Sequence, residues 1–552
     1  MGKNLTDRKL RGGYYTPPCI AEFLAKWAIR SAHDQILEPS CGDGEILEAC
    51  VKNLSTLGAS AQELNQSVHA IELDPVEAEK TRNRLVRYQV VSERVNNSDF
   101  FSYCSDYYFG HSLFSNQKRF DAIIGNPPFI RYQDFPEHHR SLAFELMEKA
   151  GFHPNRLTNI WAPFLVISSL LLNESGRLAM VIPAELFQVK YAAETRLFLS
   201  NFFDCLTIVT FKQLVFPDIQ QEIVLVLGER KSENAKGIRV IELENAEELQ
   251  NYQQTEINRT EVKPLDHSTE KWTQYFLTTA EIELLRNLAK HPKLTMSNHV
   301  IDVDVGIVTG NNQFFVLTEN EVEEKGLNNF VRTIVTRSAH LPGLRFTDED
   351  YRSNVTQQYP ALLFYPPDIA QIQLPLALQR FIADAEKQGL HQTYKCRQRK
   401  SWYVVPSVWN PDAFMLRQVH AFPKLILNEV GVTCTDTIHR VKFINGRDGK
   451  SIVSAFLNAL TFAFSEIKGR SYGGGVLTFE PSEAEELPLP LEGSEQLDFA
   501  LLDQQLRSGR IEDVLAITDK VLLVDGLGLS WQETSALRQI WQKLRNRRIN
   551  RK

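Results

Sequence analysis

Little in this chain of 552 residues ties it to a specialised environment. Its seven cysteines are scattered, with no Cys-x-x-Cys pair and no metal-ligand spacing to histidine. That argues against a disulfide scaffold or a zinc site and suits a reducing cytoplasm. No run of about 18 apolar residues occurs, so no membrane span is expected. The opening MGKNLTDRKLRGGYYTPP has no apolar core of the signal-peptide kind. Internal repeats and low-complexity tracts are missing as well. So is an overall excess of positive charge, the net charge being −7. A nucleic-acid partner is not excluded by this, because phosphate contacts depend on where the charge sits. Basic clusters stand at KCRQRK (395–400) and LRQIWQKLRNRRINRK (537–552). Such a run is more often a solvated face or tail.

What is present is a change of texture along the chain. The first 230 or so residues alternate short apolar strands (QIL, VHAIEL, FDAIIG, GRLAMVIP, CLTIVTF and EIVLVLGE) with amphipathic segments such as CIAEFLAKWAIRSA. This alternation predicts a mostly parallel sheet covered on both faces. The last two strands are joined by a link around Phe216-Pro217, too short for a parallel crossover, so they should pair antiparallel. A polar stretch, ERKSENAKGIRVIELENAEELQNYQQTEINRTEV, reads as the way out of this domain. From about 295 come short strands with Gly, Asn and Pro turns, and helical patterns return near 451 and 495. The expected organisation is a catalytic α/β domain over 1–245, an α+β domain over 246–490 and a helical extension over 491–552.

Four strand ends carry the chemistry. ILEPSCGDGEIL is a strand, a turn containing Gly42 and Gly44, and a helix from about Glu45. Glycines there let a ligand approach the backbone, and Glu38 at the strand end suits a ligand with a cationic amine. The spacing is neither GxGxxG nor a P-loop. The next strand ends in Glu72, a carboxylate able to accept both hydroxyls of a ribose. In NNSDFF, Asp99 could accept from an adenine amino group with Phe100 covering the ring, although Ser-Asp-Phe is equally a helix cap. The fourth end is FDAIIGNPPFIRY (120–132). Pro127 and Pro128 remove two donors and fix two φ angles, which makes a stiff turn presenting Asn126 and an aromatic, Phe129, expected to be exposed.

In this order the motifs resemble those of the gamma-class, TaqI-like DNA adenine-N6 methyltransferases, which are dependent on S-adenosylmethionine. GGYYTPP (12–18), EPSCGDG (38–44), IELD (71–74), SDF (98–100) and NPPF (126–129) carry the resemblance. NIWAPF (159–164) and VFPDIQQEIVLVL (215–227) continue it. The C-terminal half is similar only through VGIVTGNNQFFVL (305–317) and RSYGGGVLTFEPSEAEELPLP (470–490). The resemblance implies a Rossmann-like class I methyltransferase domain joined to a target-recognition domain. It implies a cofactor site of Tyr15, Thr16, Glu38, Ser40, Cys41, Gly42, Gly44, Glu72, Asp99 and Phe100. Thr16 would cap a helix that begins at Pro17. Asn126 and the Pro127 carbonyl, held by Pro128, would accept the two protons of an adenine amine. Phe129, with Phe216 as a second aromatic, would stack on a base flipped out of double-stranded DNA.

Facing domains would line a basic cleft, with Lys395, Arg397, Arg399 and Lys400 as one wall. No metal is implied, and a cognate restriction endonuclease acting on the same site is the implied partner. Cys19 reads as a core thiol. Phe at 129, where the family often has Tyr, keeps the ring without the hydroxyl. Rival readings are a methyltransferase acting on cytosine N4, an RNA base or protein glutamine, and a DNA-binding subunit without catalysis. Motifs beginning at residue 12 leave no space for an N-terminal nuclease.

Overall fold

The computed structural model describes residues 15–107, 119–216, 221–232, 236–472 and 474–550. Gly12 to Tyr14 of the first motif and Pro217 to Gln220 after Phe216 lie outside the described residues. The chain forms two units, one running to Ile282 and the other from Glu283 to Ile549.

The first unit opens with α1 (Pro18–Ala28), β1 (Ile36–Glu38), α2 (Glu45–Thr56), α3 (Ala61–Ser67) and β2 (Val68–Glu72). There follow α4 (Pro75–Leu85), β3 (Val95–Asn97), α5 (Phe100–Tyr107), β4 (Phe120–Gly125) and α6 (Glu137–Lys149). Next are α7 (Trp161–Leu170), β5 (Leu172–Pro183), α8 (Ala193–Phe202), β6 (Cys205–Phe211), β7 (Ile223–Glu229) and β8 (Gly237–Leu243). The eight strands form one sheet in the order β3-β2-β1-β4-β5-β7-β6-β8. β3, β2, β1, β4 and β5 are parallel, and β7 runs antiparallel to both of its neighbours. This is the expected α/β architecture with its antiparallel hairpin. Near-continuous apolar runs such as CLTIVTF and IVLVLGE suit strands buried on both faces.

Strand order reverses between β1 and β4, and ligands of open α/β sheets bind at the carboxyl ends beside such a reversal. Ile36 and Leu37 pair with Ala122 and Ile123, so Glu38 and the end of β4 reach the same level. A Cβ on Gly125 would come within 3.1 Å of Pro39 Cδ. Glycine there is what lets the strand leave the sheet against the first turn.

GIRVIEL lies inside the polar stretch that reads as the way out of the domain, yet it forms β8. It pairs in parallel with all of β6, from Cys205–Gly237 to Phe211–Leu243. Arg239, the residue that makes the strand look exposed, is buried.

The second unit holds a five-stranded sheet ordered Ile301–Val305, Ile438–Phe443, Ala413–Leu416, Leu425–Asn428 and Arg345–Phe346. A four-stranded sheet joins Val316–Leu317, Leu362–Phe364, Val331–Val335 and Thr433–Cys434. Helices Phe499–Arg507, Ile511–Thr518 and Trp531–Ile549 belong to the same unit. The basic run near the end is less a solvated tail than the sequence suggests. Arg548 is buried and donates to both oxygens of Glu466, at 3.0 and 2.7 Å, and Arg538 pairs with buried Asp519 at 2.6 Å. No helix among the described residues is long and apolar enough to cross a membrane.

Candidate active site

The first turn is built around Glu72. The Gly42 N–H donates to Glu72 Oε2 and the Asp74 N–H to Oε1, both at 2.8 Å, so the strand-end carboxylate ties two loops together. Thr81 on α4 donates its hydroxyl to the Gly42 carbonyl at 2.7 Å. Gly44 takes φ +86°, and a Cβ on it would lie 2.8 Å from the Thr81 hydroxyl oxygen. The second glycine is therefore required both by conformation and by space.

Gly42, Glu72 and Asp74 line a cavity of about 560 Å³ together with Tyr15, Thr16, Glu38, Ser40, Cys41, Asp99, Phe100, Asn126 and Pro128. Most of the expected cofactor and catalytic set thus meets at one place. Gly44 shapes the turn from behind, and Pro127 is buried in the loop. Burial holds the Glu38 carboxyl well above the ordinary carboxylate range, and the Glu72 and Asp43 carboxylates push the same way. Its Oε2 has no hydrogen-bond partner among the described residues. Burial likewise raises the Glu72 carboxyl, against the lowering effect of its two N–H donors. The Cys41 thiol is pushed far up by burial, which keeps it protonated and unsuited to nucleophilic attack.

Three placements differ from expectation. Pro17 is the N-cap and α1 begins at Pro18, so Thr16 lies one residue outside the helix. Its hydroxyl instead accepts a hydrogen bond from Asn126 Nδ2 at 3.1 Å. Phe129 is half-buried and packed against the core of the first unit rather than exposed, and Phe216 is 7% exposed within that core. In the second unit Arg399 is turned inward. It donates to the Val308 carbonyl at 2.7 Å and lies over the Phe315 ring, whereas Lys395, Arg397 and Lys400 are exposed. Asp99 lines the cavity and caps α5, accepting from the Ser102 N–H at 2.8 Å.

Sequence reasoning passed over other lining residues, including Ile46, Phe135 and Phe164. Phe164 stacks on Phe100 with ring centroids 5.0 Å apart. It sits in the quoted NIWAPF stretch, but α7 is buried on nearly every side, so periodicity singled out no face of it.

Residues 3–306 match the N-6 DNA Methylase family. The chain belongs to that family. Residues 269–523 match the C-terminal domain of the Type II methyltransferase M.Eco57I. Type II methyltransferase M.AccI of Acinetobacter calcoaceticus is 21% identical over 91% of this chain and 88% of its own length. M.XamI of Xanthomonas campestris pv. amaranthicola is 21% identical over 87% and 85%. Among solved structures, the Type IIL restriction-modification enzyme MmeI in complex with DNA superposes with a TM-score of 0.56 at 12% identity, over 94% of this chain and 73% of that one. The DrdV–DNA complex does so at 0.53 and 12%, over 92% and 58%. At such identities these two show the fold alone.

As an N-6 DNA methylase the protein is an adenine-specific DNA methyltransferase, and S-adenosylmethionine is its methyl donor. The cavity fits that molecule. Glu38 offers an unpartnered buried carboxylate oxygen to a cationic amine, and the Phe100–Phe164 pair offers an aromatic wall to a purine. A pH dependence follows. Without ligand, Glu38 keeps its proton to a higher pH than an ordinary carboxyl; beside an ammonium group it favours the charged form. Binding should therefore release a proton, and affinity should rise with pH up to the raised pKa of the free protein. Calorimetry from about pH 5 to 8, in buffers of different ionisation enthalpy, measures this. Glu38→Gln should abolish the proton release, and an unchanged release would place the titrating group elsewhere.

Proposed function

We propose that this enzyme methylates N6 of an adenine flipped out of double-stranded DNA at one specific site. We further propose that the mark protects the DNA from a partner restriction endonuclease. The observation that carries the reading is Asn126, on the cavity wall at the end of β4, with its amide anchored through Nδ2 on Thr16. With Nδ2 given to Thr16, Oδ1 accepts one proton of the adenine amine in this reading, and the Pro127 carbonyl accepts the other. An adenine amine is a poor nucleophile because its lone pair is delocalised into the ring. Holding both protons draws the nitrogen towards tetrahedral geometry and frees the pair. Bound S-adenosylmethionine supplies an electrophilic methyl on sulfonium. The prolines keep the acceptors fixed, so little reorganisation is needed as charge develops. Phe129 gives the flipped base a ring to stack on, with Phe216 as a second aromatic. Flipping costs a few kcal/mol, and stacking recovers about 1–3.

Glu72 binds the ribose hydroxyls and Asp99 the cofactor's adenine. Target recognition belongs to the region around 260–490. Sequencing DNA from a methylation-free host that expresses this protein is the decisive test. It should show N6-methyladenine at a single short motif. N4-methylcytosine, or no mark at all, would overturn the reading.

Lys395, Arg397 and Lys400 contact DNA phosphates. Replacing Arg397 and Lys400 together should weaken binding to all sequences and lower the slope of log K against log salt by roughly one per lost contact. Arg399 has its donors inside the unit and should leave the slope unchanged. A double variant with the wild-type slope would mean a solvated loop. One with an unchanged slope and an altered methylation motif would mean that the patch reads bases.

A further inference from the structure

Tyr15, just before α1, is fastened to α4. The Tyr15 hydroxyl donates to the Glu77 carboxylate, with distances of 3.2 and 3.1 Å to its two oxygens. Lys80, one turn further along α4, donates to the same hydroxyl at 3.2 Å and to Glu77 Oε1 at 2.7 Å. Its ammonium lies 5.8 Å from the centre of the Tyr15 ring. Tyr15 and Glu77 both line the cavity, although they are 62 residues apart in sequence. Tyr15 is 41% exposed, so burial does little to hold this ring in place. What holds it is a three-membered hydrogen-bond cluster whose other two members come from the first turns of α4.

Directly after Tyr15 comes Thr16, which anchors the amide of Asn126. The same short segment is thus held on one side by the catalytic loop and on the other by α4. Opening it means breaking the contacts of Tyr15 with Glu77 and Lys80.

We propose that Glu77 and Lys80 are positioning residues that fasten the Tyr15 segment across the cavity and so control how quickly cofactor and product leave it. The proposal rests on the reading that this cavity holds S-adenosylmethionine. Glu77 is the shared acceptor and Lys80 keeps it oriented. A hydroxyl–carboxylate bond at a partly exposed site is worth a modest amount, so the effect is one on rates of exchange rather than on folding.

The test measures displacement of S-adenosylhomocysteine from the full-length protein by excess S-adenosylmethionine, in stopped flow. Tyr15→Phe and Glu77→Ala should each speed release about five- to tenfold. The double variant should release no faster than the faster single one, because both substitutions break the same bond. Glu77→Gln, which keeps an acceptor, should restore slow release in large part. A purely structural role for Glu77 would lower thermal stability and leave the release rate where it was. Wild-type release in Glu77→Ala, or additive effects in the double variant, overturns the fastening. Glu72→Ala separates this from the underlying reading. If it weakens equilibrium binding while the Tyr15 and Glu77 variants release normally, only the fastening fails. If Glu72→Ala and Glu38→Gln both leave binding unchanged, the cofactor site itself is wrongly placed.

Discussion

Replacing Asn126 with alanine should reduce methyl transfer at least a hundredfold while S-adenosylmethionine still binds. The expected loss is that of one preorganised group acting on the reacting centre, about 2.7–4 kcal/mol in comparable cases. Two effects act together. The substitution removes the acceptor that orients the adenine amine, and it removes the donor that ties the loop to Thr16. Cofactor binding should persist because the turn held by Glu72, the carboxylate of Glu38 and the Phe100–Phe164 wall are untouched. Single-turnover transfer of labelled methyl to DNA, set beside calorimetry of the cofactor, separates the two quantities. Near-normal transfer would remove Asn126 from the centre of the mechanism.

Glu72→Ala should weaken S-adenosylmethionine binding by about 1.5–3 kcal/mol, roughly ten- to a hundredfold, the range for hydrogen bonds to a charged group. Two losses contribute here as well. The ribose hydroxyls lose their acceptor, and the N–H groups of Gly42 and Asp74 lose the carboxylate that now holds both. Glu72→Gln keeps one carbonyl oxygen and should fall between alanine and wild type. Calorimetry showing an unchanged affinity would assign the ribose to another side chain.

Much of this site could be read from the sequence because its residues follow strand ends. Glu38, Glu72 and Asn126 each stand where an apolar run stops, and a sheet ordered around a reversal brings such ends together whatever their separation in sequence. The misplacements have local causes. Two successive prolines let either be read as the start of the helix; the structure starts it at the second, which moves Thr16 out of the cap and onto Asn126. Phe129 looked exposed because it follows a stiff turn, yet the turn swings its ring back against the core. Arg399 shares a basic run with three exposed neighbours, and its inward turn depends on Val308 and Phe315, about ninety residues earlier. Phe164 lies on a helix buried nearly all round, where no periodicity marks the side facing a ligand.

β8 has a consequence for dissecting the enzyme. An outermost strand with unpaired N–H and C=O groups is a template for the same strand of another molecule, and β6, CLTIVTF, is mostly apolar and buried along its whole length. In the intact chain β8 occupies that edge from Cys205 to Phe211. A fragment ending after β7 would contain every residue discussed at the cofactor site and would still be a poor reagent. It would present an uncovered, largely apolar strand and should self-associate through it. A fragment carried on to Ile282 keeps that edge capped and is the shorter species to try for solution work.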